Sequence, residues 1–170
     1  MTFRKYSWLI TSALIASLQA AERVNLNVTG NIVASPCQFN GGINQMDVDL
    51  GDIQASNMVR AGSVSQPINF TLLFSACPAG TSRVTVTFTG HQDPIAGVDY
   101  YQSNGTATNV AIGIRDPTTG ALKGSGTDMT QQVLPDRTAA IPVQAFVYSA
   151  AGHPMPGSLR SVVLLTMQYN

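Results

Sequence analysis

Few residues in this 170-residue chain are of a type that does chemistry. The nucleophile-and-base inventory is His91, His153, eight aspartates and scattered serines. A Ser-His-Asp hydrolase of the nucleophile-elbow kind needs Gly-x-Ser-x-Gly at a sharp turn, and that motif does not occur. Gly124-Ser125-Gly126 lacks the spacing and reads as a flexible loop. His91 and His153 stand beside Gly or Pro and read as surface residues. Asp47, Asp49 and Asp52 alternate imperfectly around Leu50-Gly51. The EF-hand pattern and its closing Glu are missing, so they read as a solvated edge. Tyr100-Tyr101, in a stretch that reads as a long loop from 91 to 106, offers at most a stacking platform for a sugar. The expectation is no catalytic residue, no metal and no cofactor. A small secreted hydrolase would rest on these loose Ser and His residues alone.

The two cysteines suit structural chemistry better. Arg4 and Lys5 precede a Ser- and Thr-diluted apolar run over 8–18, and Leu18-Gln19-Ala20-Ala21 closes it with small residues. That is the layout of a secretory signal peptide over 1–20, cleaved after Ala20 or Ala21. The run is shorter than the roughly 20 residues of a membrane span, so no stable membrane insertion is expected. Export places Cys37 and Cys77 in an oxidising compartment, where one disulfide is the default. Closing a loop of about 40 residues is worth roughly 4 kcal/mol by chain entropy.

After the signal segment, seven Lys and Arg face Glu22 and eight aspartates. This sparse, slightly acidic charge leaves no basic patch for nucleic acid and no polybasic arm for anionic lipid. Abundant Thr, Val, Gly and Asn favour strands over helices.

The strands are read from period-two alternation. Over 22–34, Val24, Leu26, Val28 and Ile32 share one parity, interrupted by Gly30, and Asn25, Asn27, Thr29 and Asn31 the other. Residues 47–50 alternate briefly, and 56–65 is irregular with room for a short helical turn. Ile68, Phe70, Leu72 and Phe74 align within 67–77, and Val84, Val86 and Phe88 within 82–90. Val110, Ile112 and Ile114 align within 108–116; a short edge strand fits within 121–132. Ile141, Val143, Ala145 and Val147 align within 138–149, where Pro142 suggests an edge or a bulge. Val163, Leu165, Met167 and Tyr169 align at the chain's end. About six strands follow the first one, with turns between them and no long helix. An immunoglobulin-like β-sandwich is the matching class.

Several local patterns combine in a fixed order. The alternating extension with Gly30 leads into Val33-Ala34-Ser35-Pro36-Cys37, and Val48-Asp49-Leu50-Gly51 follows. Cys77-Pro78-Ala79-Gly80-Thr81-Ser82-Arg83-Val84 carries the second cysteine. Gly157 precedes a last strand with Tyr169 as penultimate residue. Together they resemble the pilin subunits of chaperone–usher fimbriae, in particular the minor, adaptor-like subunits of type 1 fimbriae.

The resemblance implies an all-β, incomplete immunoglobulin-like β-sandwich of six strands, completed by a donor strand from a chaperone or a neighbouring subunit. It divides the chain into a signal peptide (1–20), a donor-strand extension (21–34) and a pilin domain (35–170). Val24, Leu26, Val28, Gly30 and Ile32 would be the donor residues. Val163, Leu165, Met167 and Tyr169 would border the acceptor groove, with the Asn170 carboxylate anchored to basic residues of the chaperone. The implied partners are a periplasmic fimbrial chaperone, an outer-membrane usher and neighbouring pilin subunits. The implied destination is the fimbria on a bacterial cell surface, where it supports adhesion. A fimbrial adhesin or secreted carbohydrate-binding β-sandwich is the alternative; a two-domain adhesin is disfavoured, because the chain has an extension and no room for a second domain.

Overall fold

Alternating side chains need two facing sheets to bury their apolar halves, and that is what residues 36–170 build. The computed structural model describes residues 25–32 and 36–170. The two stretches belong to separate units divided after Ile32. The signal segment and Val24 lie outside the described residues.

In the sandwich the strands are β1 (Gln38–Phe39), β2 (Ser63–Val64), β3 (Ile68–Ser75), β4 (Arg83–Gly90) and β5 (Gln92–Asp93). They continue with β6 (Gly97–Gln102), β7 (Ala111–Arg115), β8 (Asp128–Gln132), β9 (Ala139–Ser149) and β10 (Val163–Tyr169). Two short 3-10 turns, Asn40–Gly42 and Ala55–Met58, precede β2. The larger sheet runs β1-β3-β9-β7-β6-β5, with β2 on β9, and the smaller runs β10-β4-β8. All pairings are antiparallel.

The core lies between the sheets. Leu72 and Phe74 of β3, Ile141 and Val143 of β9, and Val84, Val86 and Phe88 of β4 are its buried centre. Cys37 and Cys77 form a disulfide that joins the start of the domain to the end of β3. Both cysteines are buried, and the Arg137 Nε donates to the Cys77 carbonyl at 2.7 Å.

Three features differ from the sequence expectation. The stretch 91–106 is not a loop throughout: β5 and β6 form a hairpin there, with β6 paired to β7. Tyr100 and Tyr101 therefore point to opposite faces. Tyr101 is fully buried and donates to the Lys123 carbonyl at 2.8 Å, while Tyr100 stacks on Tyr148 at 4.3 Å. They cannot form one sugar platform, because successive strand residues alternate sides. Residues 47–50 carry no ladder. Pro142 lies in β9, an interior strand of the sheet, but at a point where only its β3 flank is paired. It is tolerated because β7 pairing ends at Arg115↔Gln144, two residues short of it, so no partner on that side needs its missing N–H.

Candidate functional site: an open sheet edge

The last strand is bound on one side only. β10 pairs with β4 from Val163↔Gly90 to Tyr169↔Val84 and ends the smaller sheet. Among the described residues no strand pairs with its other edge. Its burial alternates strictly: Val163, Leu165, Met167 and Tyr169 are half-buried and pack on the core, while Leu164, Thr166 and Gln168 are exposed. On β4 the inward Val84, Val86 and Phe88 are fully buried. The contrast follows from position. A middle strand is covered by neighbours on both sides, and an edge strand by one. The four inward residues of β10 thus keep apolar area in water, which would gain about 25 cal/mol per Å² on being covered.

Such an edge, apolar on its inner face and lacking half its ladder, is a template for strand addition. Here both its ends are fixed. Before β10, the Thr106 amide donates to the Ser158 hydroxyl at 3.1 Å, and the Ser158 amide to the Thr106 hydroxyl at 2.9 Å. The Ala107 amide also donates to the Ser158 carbonyl at 3.0 Å. After β10, the Asn170 terminal oxygen accepts from the amides of Ser82 (2.6 Å) and Arg83 (2.9 Å) and from the Ser82 hydroxyl (3.0 Å). Asn170 itself is exposed.

A second segment has the same character. Met46, Val48 and Leu50 are half-buried and alternate with exposed Gln45, Asp47 and Asp49. Met46 and Leu50 pack on the same core as β10. Among the described residues no backbone–backbone hydrogen bond engages 44–53. The sequence shows a brief alternation at 47–50 and nothing of its pairing. The side chains follow that pattern, and the backbone is unpaired. The signal was legible in the spacing of Met46, Val48 and Leu50, one residue earlier than it was read.

Of the residues expected to act as donor, Leu26, Val28 and Ile32 have no regular secondary structure and are exposed, Leu26 at 84%. A strand exists only as part of a ladder, so alternation alone does not form one. Among the described residues, a Cβ built on Gly30 meets nothing within 4 Å.

The remaining candidates sit apart from this edge in role. His91 and His153 are exposed. Asp49 accepts from the Gly51 amide at 2.9 Å and Asp47 from the Gln45 side chain at 3.3 Å. At the edge itself, burial raises the Tyr169 phenol above its ordinary value. The protonated hydroxyl donates to the Met167 Sδ at 3.4 Å.

A β-sandwich with one bridged pair of cysteines and a half-covered C-terminal edge strand defines an incomplete immunoglobulin-like fold of the pilin class. The family model described as "Fimbrial protein" matches residues 26–170, and the chain belongs to that family. It is 32% identical over 155 residues to Protein FimG of Escherichia coli (strain K12), covering 91% of this chain and 89% of FimG. It is 35% identical over 150 residues to the uncharacterized fimbrial-like protein YdeR of the same strain, covering 87% and 85%. Among solved structures, the P pilus rod subunit PapA superposes with a TM-score of 0.63 at 22% identity, covering 80% of this chain and 100% of PapA. The chain is a structural subunit of a fimbria.

Proposed function

We propose that this subunit polymerises by exchanging strands. The β10 edge accepts an extended segment from another polypeptide, first a strand of a periplasmic chaperone and then, at an outer-membrane usher, the N-terminal extension of the next subunit. Its own extension, through Val24, Leu26, Val28, Gly30 and Ile32, enters the equivalent edge of a different subunit. One donor and one acceptor per chain make a head-to-tail contact, which generates an open filament. The resulting fimbria lies outside the cell and supports adhesion, with no catalytic role for this chain.

The observation that carries the reading is the half-buried inward face of β10, apolar at every second residue and paired on one edge only. The unpaired 44–53 segment on the same core supplies further unsatisfied backbone for an incoming strand. The test uses the full chain co-purified with its chaperone. It is incubated with synthetic peptides spanning the N-terminal extensions of each co-expressed subunit, and native mass spectrometry follows the exchange. The expected result is displacement of the chaperone by at least one peptide. Uptake of none of them, or a stable monomer obtained without chaperone or added strand, overturns the proposal.

A further inference from the structure

We propose that Met167 is an oxidation site that closes the β10 edge to strand insertion. This rests on the strand-acceptor reading above. The thioether occupies the third of the four inward positions of β10, between Leu165 and Tyr169, on the half-buried face. It is thus covered by the core on one side only, unlike Met58 and Met129, which are buried. A second thioether, Met46, is half-buried on the unpaired 44–53 segment.

A two-electron oxidant of the peroxide class suffices. The sulfur lone pair attacks one peroxide oxygen, an S–O bond forms and the O–O bond breaks, and the departing hydroxide takes the proton of the transferred hydroxyl. The sulfur is oxidised to the sulfoxide and hydrogen peroxide is reduced to water. The product exchanges an apolar group for a strong acceptor at the place where an incoming apolar side chain must pack. The Tyr169 hydroxyl, already donating to this sulfur at 3.4 Å, is within reach of the new oxygen and holds the polar group on the edge. Once a strand covers the edge, the same sulfur is shielded from solvent. Assembled subunits are therefore resistant and unassembled ones sensitive.

The chain carries its own controls. Met155 is exposed in the loop before β10 and is oxidised whether or not the edge is covered. The experiment treats the chaperone-free full chain, released from its complex immediately before use, and the same chain loaded with a donor peptide, with dilute hydrogen peroxide. Sulfoxides are mapped by peptide mass spectrometry, and donor-peptide uptake by the treated open chain is then measured. The expected result is Met155 oxidised equally in both forms, Met167 oxidised in the open form and protected in the loaded one. Uptake by the oxidised open chain falls about tenfold or more, as expected for burying a strongly polar sulfoxide where an apolar side chain must pack. In Met167→Leu, a near volume-conserving change, peroxide leaves uptake at the level of the same variant before treatment, whatever that level is.

Unoxidised Met167 beside oxidised Met155 in the open form overturns the proposal. So does unchanged uptake by a chain oxidised at Met167, or full peroxide sensitivity in Met167→Leu, which would assign the effect elsewhere, Met46 first. Failure of the untreated chain to take up any donor peptide overturns the strand-acceptor reading itself, and the oxidation site with it.

Discussion

The ring of Tyr101 lies directly over Gly90, where a Cβ would stand 2.8 Å from the ring Cδ1 and 3.2 Å from the Val162 carbonyl oxygen. Tyr101 comes from the larger sheet and Gly90 from the smaller, so this contact sets how closely the sheets approach at the start of β10. Gly90→Ala forces an overpacked contact and is expected to cost about 1–3 kcal/mol. The urea midpoint of the donor-complemented chain measures it. Pairing the change with Tyr101→Ala should recover part of the loss, giving a non-additive double-mutant cycle.

Tyr101 also predicts an alkaline limit. Burial raises its pKa from 10.0 to about 12. The folded state therefore favours the protonated phenol, and the full contribution is present below pH 10. Between pH 10 and 12 the unfolded chain loses the proton first, so stability falls as pH rises. Denaturant midpoints recorded from pH 8 to 11.5 should decline above about pH 10. In Tyr101→Phe the decline should be shallower.

Joining Cys37 to Cys77 closes a loop of sequence separation 40. Replacing both by Ala is expected to remove roughly 4 kcal/mol, a large share of the 5–15 kcal/mol typical of a domain. The chaperone-complex yield and the denaturation midpoint of the complemented chain should both drop. A midpoint equal to that of the parent would show the bridge to be dispensable.

Leu164 and Leu165 are neighbours on β10 with opposite fates. Leu164 is 64% exposed, and Leu165 packs on the core. Leu165→Asp places a carboxylate where an incoming strand must seal the edge, and donor-peptide uptake should fall at least about a hundredfold. Leu164→Asp should leave uptake within about threefold, a surface-sized change. Equal effects of the two would deny that only one face of β10 is the docking face.

Gly30 tests the donor side. Gly30→Leu should leave chaperone binding unchanged, because β10 is untouched, and lower incorporation of this subunit into its neighbour. Incorporation in fimbriae, counted by immunogold labelling against the parent, checks it. Unchanged incorporation would remove Gly30 from any tight pocket.

The strands that were legible in the sequence are those with strong contrast between faces. β3, β4 and β10 set Phe, Leu, Val and Met against Thr, Asn and Gln; the bounds of β3 and β4 were legible to within two residues, whereas β10 begins at Val163 and not at 158. β6 was not, because Tyr100 and Tyr101 are aromatic on both faces and exposed Val98 and Asp99 sit next to a glycine. With no polarity difference, periodicity is silent. The inward residues of β10 were legible from alternation, but the openness of its edge only from the family resemblance. β4 alternates just as clearly and is covered on both sides. Only the contrast between half-buried Leu165 and fully buried Phe88, its pair partner, separates an edge from an interior strand. The same holds for 44–53, where the alternation told which side chains turn inward and nothing about whether the backbone was paired.

The fastening of β10 at Ser158 and at Asn170 has an energetic consequence for whatever binds beside it. A loose edge would have to be ordered together with its visitor, at about 1–2 kcal/mol per residue of backbone entropy. Because β10 is held at both ends before any partner arrives, that cost falls on the incoming chain alone. For the strand exchange proposed above, the edge would be a preorganised receptor. Its selectivity among donors then rests on how each sequence fits a fixed series of side-chain positions, and not on how readily β10 reshapes to meet it.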